Sequence, residues 1–438
     1  MFDPVKPDKT VATENNSPEK AILVSVVLDD GDPMDTDSSL DELEALLDTA
    51  GGESLGRLIQ TRQKPEHATY IGTGKLLELK TLCQNLGAEL VVFDCELSPS
   101  QIRNLEDALD DVRVIDRTML ILDIFAQNAK TGEGILQVAM ANLKYTLPRL
   151  SGRGTELSRL GGGIGTRGPG ETKLEIDRRH VKRKIQKLEE DLAVLSKKRK
   201  TQRKSREKSG IFQIALAGYT NAGKSSLLNL LCEDNILAEN KLFATLDPTT
   251  RRLILPNFGE VLLTDTVGFI NRLPHHLVEA FRSTLDEVAY SDLVLIVMDA
   301  TDPKFTNKME ICEFILSGLY EKRGVTPPPC LYVLNKTDLP ESLFTTKTFP
   351  ADKSSVCVSA KTGRGADELK TKIEKILSQA KKPCRFLFPH EEGGKLSILY
   401  KSANVTEVNY ETEGIYVDAI CDEKTRGALA QYIITSEG

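Results

Sequence analysis

Residues 211–225 read IFQIALAGYTNAGKS, an apolar run followed directly by the spacing G-x-x-x-x-G-K-S. The apolar run has the composition of a buried parallel strand, and the residues after Ser225 have the apolar content of a helix. Glycines at both ends of the loop allow the backbone to curl around a phosphate with its N–H groups pointing inward. The stretch therefore predicts a phosphate-binding P-loop within a doubly wound, mostly parallel α/β domain.

The loop itself supplies the candidate phosphate ligands. Lys224 is expected to reach the β- and γ-phosphates of a nucleotide, which makes it a candidate catalytic residue. The Ser225 hydroxyl is expected to bind Mg²⁺, the cofactor that accompanies nucleotide phosphates in P-loop proteins. The candidate nucleotide-binding residues of the loop are Gly218, Tyr219, Thr220, Asn221, Ala222, Gly223, Lys224 and Ser225.

A second motif, DTVG, ends the predicted strand VLLTD. Asp265 at this position can hold Mg²⁺, and the Gly268 N–H can sense the γ-phosphate, so Gly268 is also a candidate catalytic residue. The motif contributes the candidate residues Asp265, Thr266, Val267 and Gly268. Phe269 follows, where many signalling GTPases place a glutamine that orients water. Intrinsic hydrolysis is therefore expected to be slow, with another group positioning the water.

Two further motifs concern the base. Residues 335–338 read NKTD, in which the Asp338 carboxylate can accept both N1–H and N2–H of guanine, whereas adenine offers no such pair of donors. Residues 359–361 read SAK and are expected to supply a backbone N–H for guanine O6. The candidate base-binding residues are Asn335, Lys336, Thr337, Asp338, Ser359, Ala360 and Lys361.

The order of the four motifs decides between classes of function. Each lies at the carboxyl end of a predicted strand, where ligands bind in doubly wound sheets, and together they predict a GTPase. The NKTD motif argues against a small-molecule kinase or ATPase. Intact Lys224, Ser225 and Asp265 argue against an RNA-binding protein with a degenerate nucleotide site.

The segment FATLD lies between the P-loop and the DTVG motif. GTPases carry here the threonine that binds Mg²⁺ and the γ-phosphate, and Thr245 is predicted for this catalytic and metal-binding role. Thr249 and Thr250 are the alternatives, and an ordinary loop with spare hydroxyls is the structural alternative. The candidate residues of the segment are Phe243, Ala244, Thr245, Leu246 and Asp247.

Asn221 suggests a further cofactor. Some potassium-activated GTPases place an asparagine at this position of the P-loop, where it helps to hold K⁺ beside the phosphates. Such a cation can replace a missing arginine finger, so K⁺ is a second candidate cofactor beside Mg²⁺ and the substrate GTP.

The pattern of strands and helices predicts five regions. Residues 20–116 alternate apolar strands with helical stretches, and residues 209–380 repeat a strand-then-helix rhythm. The expected organisation is a disordered tail (1–19), an amino-terminal α/β domain (20–116), a helical hairpin with a glycine-rich basic loop (117–208), a GTP-binding domain (209–380) and a small α+β domain (381–438). No apolar run approaches the length of a membrane span, so integral membrane association is not expected.

The charge of the chain is unevenly distributed. The net charge is −7, yet residues 173–208 contain fifteen Lys or Arg against six Asp or Glu. Arg149, Arg153, Arg159 and Arg167 extend the basic stretch into a glycine loop whose GIGTRG, at residues 163–168, matches G-x-G-x-x-G. Because no apolar strand precedes these glycines, the match does not predict a dinucleotide site. The loop is expected to approach RNA closely; a hairpin tip with incidental charge is the alternative.

The chain resembles the HflX family of translation-factor-class GTPases. The resemblance rests on YIGTGK at residues 70–75, on the glycine-rich loop, on GYTNAGKS at 218–225 and on FATLD at 243–247. It covers nearly the whole chain, except for residues 1–19 and a looser match at the carboxyl terminus. Within YIGTGK, GTGK lacks a full P-loop and predicts the start of a helix rather than a second nucleotide site.

The resemblance implies a ribosomal function. It implies an amino-terminal domain that binds the large ribosomal subunit and its ribosomal RNA near the peptidyl-transferase centre and helps to split or rescue stalled ribosomes. It also implies that ribosomes stimulate GTP hydrolysis by the protein. It implies a cytoplasmic location. Peripheral association with a membrane is a second expected location. We expect a monomer that does not bind DNA. A GTPase of ribosome assembly or RNA modification is the alternative function.

Overall fold

The computed structural model describes residues 18–28, 33–110, 112–149, 173–209, 211–232, 242–243, 246–271, 282–379, 382–421 and 423–434. The first elements in chain order are β1 (Glu19–Leu28), α1 (Pro33–Ala50), β2 (Gly52–Arg62), α2 (Thr73–Leu86), β3 (Leu90–Phe93), α3 (Pro99–Ala108), β4 (Arg113–Asp116), α4 (Arg117–Asn128), α5 (Gly132–Thr146) and α6 (Lys173–Ser209).

The remaining elements follow in the same order. They are β5 (Gln213–Gly218), α7 (Lys224–Cys232), β6 (Thr249–Leu255), β7 (Gly259–Asp265), α8 (Arg282–Ala289), β8 (Leu293–Asp299), α9 (Phe305–Arg323), β9 (Cys330–Asn335), α10 (Ser342–Thr348), β10 (Ser355–Cys357), α11 (Ala366–Gln379), β11 (Lys382–Phe388), α12 (Leu396–Ser402), β12 (Asn404–Glu411), β13 (Gly414–Cys421), α13 (Glu423–Ala428) and β14 (Ile433–Ile434). Short 3-10 turns occupy His390–Lys395 and Ala430–Tyr432.

The amino-terminal sheet is parallel, with the strand order β2-β1-β3-β4. Its central strands are apolar on both faces because helices cover both, and β3 is buried throughout. β1 begins at Glu19, one residue before the predicted domain boundary, where it pairs with Gly52 of β2, and the buried Glu19 carboxylate forms an ion pair with Arg113 at 3.0 Å. The GTGK stretch begins α2, with Gly72 as the N-cap residue, which confirms the predicted helix start.

The central sheet has six strands in the order β10-β9-β8-β5-β7-β6, and only the edge pair β6–β7 is antiparallel among the pairings described. Buried aliphatic side chains of β5, β7, β8 and β9 pack with those of α7 and α11 in one core. Strand ends that carry ligands in such folds therefore meet along one edge. The predicted doubly wound, mostly parallel P-loop domain is confirmed.

The carboxyl-terminal sheet is antiparallel, with the order β12-β13-β11-β14. Phe386 and Phe388 of β11 stack on each other and are fully buried with Leu399 of α12. This small sheet with short helices confirms the predicted α+β appendage. Among the described helices, none has the length and apolar content needed to cross a membrane.

The region predicted as a helical hairpin contains α4, α5 and α6. Residues 129–131, between α4 and α5, are not helical. On α6, Ile185 and Leu188 are buried, and Lys144 of α5 pairs with Glu189 of α6 at 2.8 Å. The glycine-rich loop, with Arg153, Arg159 and Arg167, lies outside the described residues, so its role stays a prediction.

Contacts divide the chain into two compact units. The amino-terminal unit comprises residues 1–195 together with 239–247 and 270–282, and the carboxyl-terminal unit comprises the rest. Two short segments within the predicted GTP-binding domain thus group with the amino-terminal unit. The other boundaries of the five predicted regions stay predictions.

Candidate nucleotide-binding site

The P-loop connects β5 to α7 through two glycines with left-handed backbone. Gly218 has φ 146° and Gly223 has φ 89°, a region that side-chain-bearing residues rarely adopt. A Cβ on Gly218 would lie 2.2 Å from the Val297 carbonyl oxygen of β8, and one on Gly223 would lie 2.2 Å from Asn335 Nδ2. Glycine at both ends is therefore required by close packing as well as by loop curvature.

Lys224 lies inside the loop that it terminates. Its side chain is only 7 % exposed, and Nζ donates to the carbonyl oxygens of Gly218 at 3.2 Å and Tyr219 at 2.8 Å. Burial lowers the pKa of this ammonium, while the nearby Asp265 carboxylate opposes the shift. A buried cation held by two carbonyls is suited to meet phosphate charge at the mouth of the loop.

The two predicted magnesium ligands of the described chain lie together. Ser225 Oγ donates to Asp265 Oδ2 at 2.6 Å, and Asp265 is 1 % exposed at the end of β7. Hydroxyl and carboxylate oxygens are the donors that Mg²⁺ prefers, so these residues fit the ion. Thr245, the third predicted ligand, lies outside the described residues together with Ala244, and its role stays a prediction.

The DTVG motif is joined to the P-loop by backbone hydrogen bonds. The Thr220 N–H donates to the Phe269 carbonyl at 2.8 Å, and the Phe269 N–H donates to the Gly218 carbonyl at 2.9 Å. A Cβ on Gly268 would lie 2.8 Å from Thr220 Cα, so only glycine allows this approach. Thr266 Oγ1 also donates to the Leu216 carbonyl at 2.5 Å, which fixes the strand end that precedes Val267.

Phe269 is 3 % exposed, which gives the residue a packing role. A buried aromatic ring has no polar group with which to orient water. This geometry agrees with the prediction that the water for hydrolysis is positioned by another group.

Asn335 connects the base motifs to the P-loop. Its Nδ2 donates to the Ala222 carbonyl at 2.9 Å, its Oδ1 accepts the Ala360 N–H at 2.9 Å, and the residue is 2 % exposed. One amide thus joins the P-loop, NKTD and SAK. Sequence reasoning identified Asn335 as a candidate but not this bridging role, for which the motif itself carries no signal.

Asp338 has the geometry of a base-recognising carboxylate. It is exposed, and Ser359 Oγ donates to its Oδ1 at 2.7 Å. This hydrogen bond lowers the pKa of Asp338, with smaller help from the charges of Lys361 and Lys336. The carboxylate therefore stays ionised at neutral pH and can accept two donors from a purine.

Asp299 is a site residue that the sequence reasoning missed. It ends β8, and its Oδ2 accepts from Lys336 Nζ at 2.6 Å, while its Oδ1 accepts the N–H and hydroxyl of Thr301. Lys336 has a left-handed backbone with φ 64°, and the adjacent Thr337 N–H donates to the Val358 carbonyl at 3.3 Å. The sequence signal that could have identified Asp299 is its position at the end of the apolar run LVLIVMD.

Phe243 and Asp247 of FATLD contact residues of the amino-terminal unit. The Phe243 ring meets Phe125 edge-on, Leu246 is buried, and Asp247 accepts hydrogen bonds from Lys130 and Thr131. Their predicted part in nucleotide binding stays a prediction.

Thr249 and Thr250, the alternatives to Thr245, lie in the central sheet. Both begin β6, and the Thr250 and Thr264 hydroxyls hydrogen-bond to each other at 3.0 Å. This bond uses part of the hydrogen-bonding capacity of the Thr250 hydroxyl, and the role of both threonines stays an alternative prediction.

The Arg149 side chain contacts residues of the amino-terminal unit. Its guanidinium lies 3.3 Å from the centre of the Tyr145 ring and donates to the Tyr145 and Leu97 carbonyls and to Asp116. These intramolecular partners reduce its capacity to bind phosphate.

Three family models match the chain. Residues 37–126 match the GTP-binding GTPase N-terminal family, residues 128–206 the GTP-binding GTPase middle region, and residues 213–336 a family described as 50S ribosome-binding GTPase. These matches follow one another from the amino-terminal sheet to the NKTD motif.

Whole-chain relatives agree with these matches. The GTPase HflX of Caldanaerobacter subterraneus is 48 % identical over 95 % of this chain and 94 % of its own. The GTPase HflX of Escherichia coli K12 is 40 % identical over 90 % of this chain and 92 % of its own. A GTP-binding protein of Sulfolobus solfataricus, solved in complex with GDP, is 25 % identical over 82 % of this chain and 99 % of its own, with a TM-score of 0.43.

Proposed function

The chain belongs to the HflX family of GTPases and hydrolyses GTP to GDP and phosphate, and from that premise we propose that it binds the large ribosomal subunit and helps to split or rescue stalled ribosomes. The proposal includes contact with ribosomal RNA, stimulation of hydrolysis by the ribosome, a cytoplasmic location and action as a monomer. The observation that carries it is the match of residues 213–336 to a family described as 50S ribosome-binding GTPase.

The charge of α6 supports an RNA partner. Arg178, Lys182 and Arg183 are exposed on this long helix. Exposed cations of this kind neutralise phosphates and release the counterions condensed on nucleic acid. The glycine-rich loop between α5 and α6 would add arginines on a backbone without side-chain bulk.

The site geometry supports one mode of GTP binding. Asp338 accepts the two guanine donors, Asn335 keeps NKTD and SAK at the P-loop, and Lys224 meets the β- and γ-phosphates. Ser225 and Asp265 would hold Mg²⁺, which neutralises charge on the phosphates when bound. The loop N–H groups and the buried ammonium stabilise the charge that develops as the γ-phosphoryl group leaves.

A potassium requirement is proposed from Asn221. This exposed P-loop residue has φ 59°, and its amide oxygen can serve as a ligand for a monovalent cation. We expect turnover about tenfold faster in K⁺ than in Na⁺ at equal ionic strength, because a bound cation adds positive charge at the transferring group. Glycine adopts the same backbone conformation but has no amide oxygen. Asn221→Gly should therefore abolish the difference in turnover between K⁺ and Na⁺. Equal wild-type rates in the two salts would refute the potassium site.

Charge reversal in the glycine-rich loop tests the ribosomal interface. The triple variant Arg153→Glu, Arg159→Glu, Arg167→Glu is expected to weaken binding to large subunits, because fewer phosphates are neutralised. The slope of log affinity against log salt should become shallower by roughly two to three. Turnover without ribosomes should remain close to wild type, since the described nucleotide-site residues lie beyond residue 209.

A matched control carries the same change in net charge elsewhere. Lys322, Lys347 and Lys375 are exposed on three helices of the carboxyl-terminal unit. Their simultaneous replacement by glutamate should affect the salt slope less than the loop variant does. An unchanged affinity and slope in the loop variant would exclude the loop as an RNA contact.

A further inference from the structure

Tyr219 has the largest side chain of the P-loop and joins the loop to its surroundings. Its carbonyl is one of the two that accept from Lys224 Nζ, at 2.8 Å. It also forms a parallel β-bridge with Phe269, the residue that follows the DTVG motif. Only 5 % of Tyr219 is exposed. The position of this one residue therefore affects both the P-loop ammonium and the end of the DTVG motif.

Helix α9 contacts Tyr219 from two successive turns. Lys308 Nζ lies 4.7 Å from the centre of the Tyr219 ring, within the range of a cation–π interaction. Cys312, one turn later, is fully buried and hydrogen-bonds to the Tyr219 backbone. Residues four apart lie on the same face of a helix, so a single face of α9 meets both the ring and the backbone of this loop residue.

The two contacts of α9 differ in charge. Burial raises the pKa of the Cys312 thiol to about 12, although the charge of Lys224 opposes the shift. The thiol is therefore neutral at pH 7 and acts through packing and its hydrogen bond. Lys308 supplies the charge of this contact, and it does so against the ring rather than against the backbone.

Asp302 holds Lys308 in this position. Its Oδ2 accepts from Lys308 Nζ, and its Oδ1 accepts the Lys304 N–H at 2.8 Å, at the amino terminus of α9. The carboxylate thus satisfies a backbone donor at the helix start and interacts favourably with the helix dipole. The exposed side-chain fractions are 30 % for Lys308 and 17 % for Asp302. Because both are largely covered, solvent ions screen this pair less than they screen a surface pair.

The P-loop needs such a support because glycines border it. Gly218 and Gly223 allow the curvature of the loop, but glycine is also the residue with the greatest backbone freedom. The Tyr219 ring is a rigid side chain by which α9 can fix the segment between them. If Tyr219 moves, its carbonyl moves with it, and Lys224 loses one of the two acceptors that direct its ammonium.

We propose that Lys308 is a positioning residue for GTP hydrolysis, acting through the Tyr219 ring on the loop carbonyl that directs Lys224 toward the transferring phosphoryl group. Asp302 keeps the Lys308 ammonium over the ring and is a positioning residue as well. All of these residues lie in the carboxyl-terminal unit. The proposal concerns hydrolysis itself and goes beyond ribosome binding, so its test requires no ribosomes.

The first test removes the charge of Lys308 and keeps the length of its side chain. Lys308→Met should lower the single-turnover rate of GTP hydrolysis by about fivefold, because small displacements of a positioned group have large effects on rate. Lys308→Arg should retain most of the wild-type rate, since a guanidinium also pairs with carboxylates and stacks on aromatic rings. Kd for GDP should stay within about twofold in both variants, because the loop N–H groups and NKTD remain.

Variants of the ring show whether the lysine acts through it. Tyr219→Leu should lower the rate about as much as Lys308→Met does, whereas Tyr219→Phe keeps the ring and should retain most of the rate. The double variant Tyr219→Leu, Lys308→Met should lose no more than the larger single loss, because both act through one contact. Lys322→Met removes an exposed lysine from the last turn of the same helix and should leave the rate unchanged.

The proposal would be overturned by an unchanged rate in Lys308→Met, or by a rate in Lys308→Arg as low as that in Lys308→Met. Additive losses in the double variant would also overturn it, because the lysine and the ring would then act separately. A fall in GDP affinity as large as the fall in rate would do the same, since general distortion of the site would then explain the rates. Melting curves accompany each measurement, and Lys308→Met is expected to remain folded because the replaced side chain is partly exposed.

Discussion

Lys224→Ala is expected to reduce kcat for GTP hydrolysis by a factor on the order of 10² to 10³. The ammonium lies buried inside the P-loop and is held there by the Gly218 and Tyr219 carbonyls, so water cannot easily replace it. Its charge is strongest where negative charge develops on the transferring phosphoryl group. Single-turnover assays with excess enzyme measure this effect independently of product release.

The control for this variant is a lysine of ordinary environment. Lys375 is exposed on α11, and Lys375→Ala should leave kcat unchanged. Circular dichroism should show that Lys224→Ala is folded, since loss of a long side chain from the loop does not open the central core. Near-normal hydrolysis by Lys224→Ala would show that the reaction occurs at another site.

Asp338→Asn is expected to replace the preference for GTP by a preference for XTP. The carboxylate accepts two guanine donors, whereas an asparagine amide presents a donor that suits the C2 carbonyl of xanthine. Loss of hydrogen bonds to a charged group should weaken GTP binding by a factor on the order of 100 or more. Titration of wild type and variant with GTP, XTP and ATP measures the exchange.

An exposed aspartate elsewhere provides the comparison. Asp352, between α10 and β10, is exposed, and Asp352→Asn should keep the wild-type order of affinities. Ser359→Ala should weaken GTP binding less than Asp338→Asn does, because it removes only the hydroxyl that hydrogen-bonds to Asp338. A wild type without preference for GTP over ATP, or an Asp338→Asn protein that binds XTP no better, would contradict the assignment of the base pocket.

The local chemistry of this site was predictable from the sequence. The spacing of Gly218, Gly223 and Lys224 predicts a P-loop, and both glycines have the positive φ that allows the loop to curl. The doubly wound, mostly parallel class of the central sheet could be inferred because alternating strands and helices pack in few ways, but the strand order was not predicted. Asp338 was predicted because its carboxylate can accept two guanine donors, and Ser359 because SAK was expected to supply a backbone N–H for guanine O6.

Contacts between distant parts of the chain were not predictable in the same way. Asn335 links the P-loop to SAK across 113 and 25 residues, and the NKTD pattern contains no information on either partner. Asp247 was expected at the nucleotide, but its carboxylate meets Thr131, 116 residues earlier in the chain. Partner choice of this kind depends on how separate elements pack, which one sequence does not reveal.

Sedimentation with ribosomal particles tests the central claim most directly. The protein is incubated with purified large subunits, small subunits, intact ribosomes and immature large-subunit particles, each with a non-hydrolysable GTP analogue, with GDP or without nucleotide. The account predicts that it pellets with large subunits and intact ribosomes, most strongly with the GTP analogue, and that intact ribosomes then yield free subunits. Failure to pellet with large subunits in any nucleotide state, or pelleting only with immature particles, would contradict it.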